Sequence, residues 1–597
     1  MRLSSPVQFL TRLLIVAILC RTTLAFAQSD TQSLPFTPIQ LESLDAFGDN
    51  PGKQWGVAGD ISGDRKVRGN FVVGKGTGIL VYKPGKGTSK PLFSATEFEN
   101  IDLEFDFLLS KSASFTLLLQ NQYQLKITDS WLTERNPITK APGLWQHVTV
   151  QVNAAGLDTN GMHQRKATIG KALLNGQPID PARISEFPEK EKQGSAGPIG
   201  FQGHDLPFAI RNIRYKTYQK VSIGLSKMRF EVYKGLHKNP DTLAGMQPTR
   251  TGNTDSISHR VGDRKSQLLI AGEMEIPQDG DYMFKLIAGG GAWFYLDGKL
   301  LIHNRGTRDF ERAFFERHSL RKGKYPFRII YSNSDECLVL HYEGPQMPWQ
   351  SLTTAASVRV SERIEPLEYE LDNRPAIQRG FIMHRNKVNP YAAAIGMPSR
   401  NDPGSKTGTN YAYDMKHCNL LTVWRGRFID VSNMWRQRGE KQLEVPLGAK
   451  LELSGKPLLA LLKTPTSAWP DSAQTADGFF GSSGYRLNKD GFPVFRYAVQ
   501  NISVEDYISP GAQNAGLTRE IKVVNEDKLP AYLLLAEGSR IEKVENGYVI
   551  DDKSYYIENL QAAEVEPVIR QEGDRQQLLI PINVQNAQLT IRYDLIW

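Results

Sequence analysis

Short runs of alternating apolar and polar residues recur from about residue 40 to the end of the chain, and Gly, Pro, Asn and Asp cut them apart. Ile101 to Phe107, Phe115 to Leu119, Tyr282 to Leu286 and Leu589 to Leu595 are examples. In the last run Leu589, Ile591, Tyr593 and Leu595 share one face, because side chains on a strand alternate sides with a period of two. Long helical periodicity is scarce. Strands at this spacing, with turn chemistry between them, predict an all-β chain of sandwich modules.

The first residues carry a different signal. Arg2 and Arg12 give a basic start, Leu13 to Cys20 an apolar stretch, and Ala25-Phe26-Ala27 an A-x-A exit. That pattern is a secretory signal peptide over 1–27, cleaved near Ala27. Leu19 stands before Cys20, where lipid attachment needs a small residue. The expected location is therefore extracytoplasmic, either periplasmic or secreted. No later apolar run approaches the ~20 residues of a membrane helix, so no membrane span is expected after cleavage.

The 597 residues exceed what one hydrophobic core supports. The formal charge is +8. Removing Arg2, Arg12 and Arg21 with the leader lowers it by three, and the rest is spread without a basic stripe, which argues against nucleic acid. Past the leader only Cys337 and Cys418 remain, too few for a disulfide framework. There is no C-x-x-C-H for covalent haem and no zinc-type Cys/His spacing, so no cofactor and no metal is implied. His417 adjoins Cys418, and strand neighbours point to opposite faces.

Two seams divide the mature chain into 36–219, 220–362 and 363–597. One lies at Lys216 to Ser222. The other lies at Gly344 to Pro348, followed by the small-residue stretch Ser351 to Ser357.

The first segment holds Leu44 to Phe47 with Trp55, a strand ending at Phe107, Gly143-Leu144-Trp145-Gln146-His147, Leu174 to Gly176, and Gly197 to His204 followed by Phe208 to Ile213. On these residues it resembles the 3-keto-disaccharide hydrolase family, a laminin-G or glucanase-like jelly roll. The resemblance implies a carboxylate acid/base pair. Asp102, Glu104 and Asp106 fall on one face of a strand with ~6.5–7 Å between successive same-face residues, compatible with the ~5–9.5 Å of a glycosidase pair. The bland alternative is a half-buried strand with its polar side in water. The family's usual glutamates are replaced here, by Gln124 in one strand and by Leu144 before Trp145, and neither residue exchanges a proton.

In the second segment Gly224 to Tyr233, Gly272 to Leu286, Trp293 to Ile302, Leu320 to Tyr325 and Leu338 to Tyr342 follow in order. They resemble the PA-fourteen domain, a sugar-recognition sandwich found in protective antigen, yeast adhesins and glycosidases. Asp297-Gly298 is a two-residue hairpin signal. Calcium-using members carry an Asp-Asp pair where this chain reads Ala288-Gly289-Gly290-Gly291-Ala292. Glycines supply no carboxylates, so no calcium clamp is expected there.

In the third segment Met415 to Gly439, Phe479 to Leu487 and Asp490 to Tyr497 resemble a β-sandwich region of secreted bacterial proteins that accompanies cytochrome c modules and sugar-oxidising enzymes. Trp424, Arg425, Arg427, Trp435, Arg436 and Arg438 concentrate aromatic faces and guanidinium forks that could hold a sugar, with His384 a further pocket candidate. The alternative places the tryptophans in the core, the arginines on surface acids, and His384 in a satisfied structural position.

No Ser-His-Asp text or nucleotide loop occurs. The sequence therefore predicts a non-catalytic carbohydrate-binding protein. The alternatives are a 3-keto-disaccharide-type glycoside hydrolase using Asp102, Glu104 and Asp106, and a scaffold for a secreted sugar-oxidising or redox partner enzyme.

Overall fold

A computed structural model describes residues 32–48, 52–86, 89–130, 137–157, 163–187, 196–306, 312–333, 337–357, 366–399, 404, 406–435, 442–471, 480–512, 516–562, 565–582 and 587–597. The proposed leader, Arg436 and Arg438 lie outside the described residues. The fold is all-β, as the alternation predicts. No helix among the described residues is long and apolar enough to cross a membrane. The chain gathers into two compact units. One holds the described residues of 216–362 with 32–37; the other joins those of 38–215 to those of 363–597.

In the two-part unit, the N-terminal half is a sandwich. Its larger sheet runs, in spatial order, Gln177–Pro178, Thr168–Leu174, Trp145–Asn153, Asn100–Leu109, Phe208–Tyr218, Val72–Tyr82 and Trp55–Ser62. A five-stranded sheet faces it: Ile184–Glu186, Tyr123–Thr128, Ser114–Leu119, Gly197–Gly203 and Leu92–Phe98. Between them Phe105, Phe107, Phe115, Phe201 and Phe208 form a core of edge-on and stacked rings. The glycines of Gly197–Gly203 let that strand sit close to its neighbours. A Cβ at Gly203 would run into the Tyr82 ring.

Among the described residues the C-terminal half holds two eight-stranded sheets and a four-stranded one, with one large core and two smaller apolar clusters around Trp424 and Trp469. One large sheet centres on Ala376–His384, Lys387–Pro398, Gly408–Asp414 and Asn419–Gly426. The other runs Phe480–Leu487, Pro493–Val499, Ile502–Pro510, Gly516–Asn525, Gln588–Ile596, Tyr555–Gln561, Gly547–Ile550 and Ile541–Val544. Every residue of Asn419–Gly426 is buried, so that strand is covered on both faces.

The remaining unit is a sandwich of six and four strands. Its core is built by Ile270, Tyr282, Phe284, Leu286, Phe294, Ile329 and Leu340. The Asp297-Gly298 turn has φ of 51° and 74° and closes a hairpin with Leu296 opposite Lys299, the geometry a two-residue turn requires. Cys337 and Cys418 are buried in different units.

Candidate functional site

Asp102, Glu104 and Asp106 do share the outer face of Asn100–Leu109, while Ile101, Leu103, Phe105 and Phe107 fill the core. Across the ladder they stand opposite Gln151, Thr149 and His147. The neighbouring strand Phe208–Tyr218 brings cations to the same face. Arg214 Nη2 lies 2.9 Å from Glu104 Oε2. Asp106 Oδ1 meets His147 Nδ1 at 2.9 Å, and its Oδ2 accepts from Asn212 Nδ2 at 2.7 Å, with Arg211 Nε 3.6 Å away.

Burial works to raise the Asp106 pKa. The hydrogen bonds from His147 and Asn212, with the charges of His147 and Arg211, outweigh it and hold the group below its ordinary value. A general acid needs the opposite shift. Sequence reasoning passed over His147, Arg211, Asn212 and Arg214. The available signal was the polar run Arg211-Asn212 and Arg214 on a strand adjacent to the carboxylates.

Part of this face is covered. The turn Asp551-Asp552-Lys553 has three successive non-glycine residues at φ of 53°, 50° and 65°, a conformation that costs energy at each step. Partners on all sides hold it. Arg211 Nη1 reaches Asp552 Oδ2 at 2.5 Å, and Lys553 Nζ bridges Asp60 and Glu542 at 3.2 and 3.0 Å. Trp145 N donates to Lys553 O at 2.9 Å, while the Arg211 guanidinium lies 4.1 Å from the centroid of the Trp145 ring. Beside the turn, Ala141 and Leu144 pack on Val549, Tyr556 and Ile596. The Gly143-Leu144-Trp145 segment is therefore contact surface, and Leu144 is fully buried in it.

The aromatic and arginine set does not assemble into one site. Trp424 is fully buried, so the expectation of a sugar-facing indole is corrected; its Nε1 donates to the carbonyls of Arg427 and Phe428 at 3.1 and 2.9 Å. Arg425 also leaves the proposed site. Its strand position points it to the opposite face, where Nη2 donates to Thr139 O at 3.1 Å and Trp597 O at 2.6 Å. Burial draws its pKa down to about 10. Arg427 pairs with Glu368 at the surface. Trp435 is 69% exposed. The ring of His384 bonds Leu453 O at 3.0 Å, and burial is the main cause of its lowered pKa, which makes it a structural histidine.

In the other unit, the Ala288 to Ala292 turn is tied by backbone bonds: Gly289 N to Cys337 O at 3.1 Å and Ser332 N to Gly291 O at 2.7 Å. Trp293 stacks on His303 beside it, centroids 5.0 Å apart. Among the described residues no group of three or more His, Cys, Asp or Glu is placed to hold a metal.

The outer face of this unit's four-stranded sheet carries a cross-strand row, Phe315, Lys285, His341 and Ser351. Trp349, two residues before Ser351, meets Phe315 edge-on at 6.2 Å, and Lys285 Nζ lies 5.9 Å from the Phe315 centroid. Burial and the Lys285 charge lower the His341 pKa, which favours a neutral ring. Phe315 and Trp349 were not singled out from sequence; they are far apart in the chain, and only the sheet brings them together.

Residues 232–362 match the PA14 domain family. No curated protein matches the sequence. Among solved structures, a glycosyl hydrolase candidate from Parabacteroides distasonis is 16% identical, covering 31% of this chain and 99% of that one, with a TM-score of 0.21. A beta-glucosidase from Kluyveromyces marxianus in complex with glucose is 22% identical over 18% of this chain and 14% of its own, TM-score 0.15. An anti-sigma factor domain-containing protein from Clostridium clariflavum is 10% identical over 54% and 91%, TM-score 0.19. Likenesses at these scores carry no argument about activity.

Proposed function

We propose that this chain is an exported, non-catalytic carbohydrate-binding protein. The observation that carries the reading is the PA14 match over 232–362, in a unit whose outer sheet face displays Phe315 and Trp349. Aromatic rings offer an apolar face to the C–H side of a sugar, and Lys285, His341 and Ser351 supply polar partners in the same row.

The chemistry of the carboxylate face speaks against catalysis. Glu104 is paired with Arg214, the bonds from His147 and Asn212 help hold the Asp106 pKa below its ordinary value, and Gln124 and Leu144 cannot replace a proton-transferring group. The hydrolase reading retains one favourable feature, the three carboxylates on one face of Asn100–Leu109. Export rests on the leader pattern of residues 1–27 and is checked by N-terminal sequencing of the protein in the extracytoplasmic fraction.

A glycan array probed with the full chain tests the function. The expected result is retention of a defined set of glycans, weakened at least tenfold by Trp349→Ala, with no sugar released from 3-keto-glycosides. Release that disappears in Glu104→Gln would replace this reading with the hydrolase.

A further inference from the structure

An open groove of the two-part unit lies outside every site considered above. It runs over the outer face of Pro493–Val499, Ile502–Pro510, Gly516–Asn525 and Gln588–Ile596 and has a volume of about 340 Å³. A second hollow of about 150 Å³ continues it toward Phe480–Leu487, sharing Glu505 and Lys522. The first volume alone is within the range of small-molecule sites.

One cross-strand row spans the groove: Arg496 opposite Glu505, Glu505 opposite Lys522, and Lys522 opposite Thr590. Four strands in register span roughly 14 Å, the reach of a short oligomer. Ala498, Ser503, Val524 and Gln588 form the next row, and the short side chains of the first three leave the groove its depth. Tyr507 lines the adjoining hollow and steadies its ring edge-on against Phe492.

The charges are balanced toward the positive. Arg486 and Arg496 both reach Glu505 at 3.3 Å, Lys522 reaches Glu520 at 3.2 Å, and Arg592 stands opposite Glu520. Among the residues lining the two hollows, three cations, Arg486, Arg496 and Lys522, thus face two carboxylates, Glu505 and Glu520. Their pairs are long and exposed, with Arg496 and Lys522 side chains 53% and 56% accessible, so each can exchange its partner for a ligand at little cost.

We propose that this groove binds an acidic oligosaccharide, its carboxylates taken by Arg486, Arg496 and Lys522 and its hydroxyls by Glu505, Ser503 and Thr590. Guanidinium forks match carboxylates in pairs. Glu505 within the row and Glu520 beside it would repel the phosphates of a nucleic acid strand, whereas a sugar hydroxyl donates to them. The inference rests on the carbohydrate-binding reading and extends it to a second surface, on 363–597.

The test is calorimetric titration of the full chain with tetragalacturonate and, in parallel, cellotetraose. The expected result is saturable binding of tetragalacturonate only. Affinity should fall at least tenfold in Arg496→Ala and in Lys522→Ala, and further in Lys522→Glu, with unchanged thermal midpoints. It should also weaken as salt rises from about 50 to 300 mM. Tetragalacturonate binding that these variants leave intact would overturn the groove and keep the general reading. No binding here, with a positive glycan array, would do the same. A blank array and a blank titration together would remove both.

Discussion

The two faces of Ile502–Pro510 and Gly516–Asn525 carry the same chemistry to opposite ends. On the inner face Arg519 grips Asp506 with two bonds, Nε to Oδ1 at 2.9 Å and Nη2 to Oδ2 at 2.6 Å, and both side chains are almost completely buried. Asn419 Oδ1 accepts a further hydrogen bond from Arg519, Tyr593 OH accepts another, and Tyr413 OH donates to Asp506. On the outer face, Glu505 beside Asp506 and Lys522 three residues beyond Arg519 keep about a third and a half of their side-chain surface in water. Burial turns the first pair into structure, since neither charge can leave its partner without a large desolvation cost. Exposure leaves the second set free to change partners. The carboxylate face of the N-terminal sandwich is closer to the first case: Glu104 and Asp106 are committed to neighbouring strands.

The comparison breaks if the inner pair is dispensable. Asp506→Asn removes the charge opposite Arg519 and should cost about 3–5 kcal/mol in urea unfolding. A loss below about 1 kcal/mol would make the buried pair no more structural than the exposed ones.

Glu444 is next in size and opposite in sign. It is 1% exposed and packs on Gly380, where a Cβ would run into its carboxylate. Neither carboxylate oxygen makes a geometrically sound hydrogen bond among the described residues. Burial raises its pKa to about 7, and the nearby Gln378 amide offsets only part of that. Unfolded, the group ionises near 4.5. Below that pH both states are protonated and ionisation adds no cost; the ionisation cost grows through pH 7 and then levels. Glu444→Gln should therefore stabilise the protein at pH 8 by about 3 kcal/mol more than at pH 4, a difference that chemical unfolding at the two pH values reads directly.

Arg211→Ala probes the covered face. It removes the Asp552 pair and the contact with the Trp145 ring, and should lower unfolding free energy by about 1 kcal/mol. It also takes one cation from Asp106. The Asp106 contribution is present above its unfolded pKa near 3.8 and lost as pH falls through its depressed folded value, so this variant should narrow the acid tolerance of the protein. An unchanged acid midpoint would show that Arg211 does not act on Asp106. Arg496→Ala should have the smallest effect on folding, within about 0.5 kcal/mol by thermal unfolding. A larger loss would place the groove cations with the structural ones.

The strands themselves were legible where one face is wet. Ile101 to Phe107 alternates cleanly because its odd residues enter the core and its even ones do not. Asp297-Gly298 was legible as a turn because its two φ values demand those residue types. Asn419–Gly426 was not legible. Covered on both faces, it holds Trp424 and Arg425 side by side, which in sequence imitates a binding cluster. The partners that make Arg425 structural, Thr139 and Trp597, stand 286 and 172 residues away, and no local pattern announces them. The groove row was hidden for the same reason: Arg496, Glu505, Lys522 and Thr590 come from four strands, each of which carries a single member.

A crystal of the full chain soaked in tetragalacturonate tests the division between structural and recognising charges most directly. The account predicts sugar density across Pro493–Val499 to Gln588–Ile596, carboxylates against Arg496 and Lys522, with Glu104 and Asp106 still paired to Arg214 and His147. Sugar seated on Glu104 and Asp106, with those pairs opened, would contradict it.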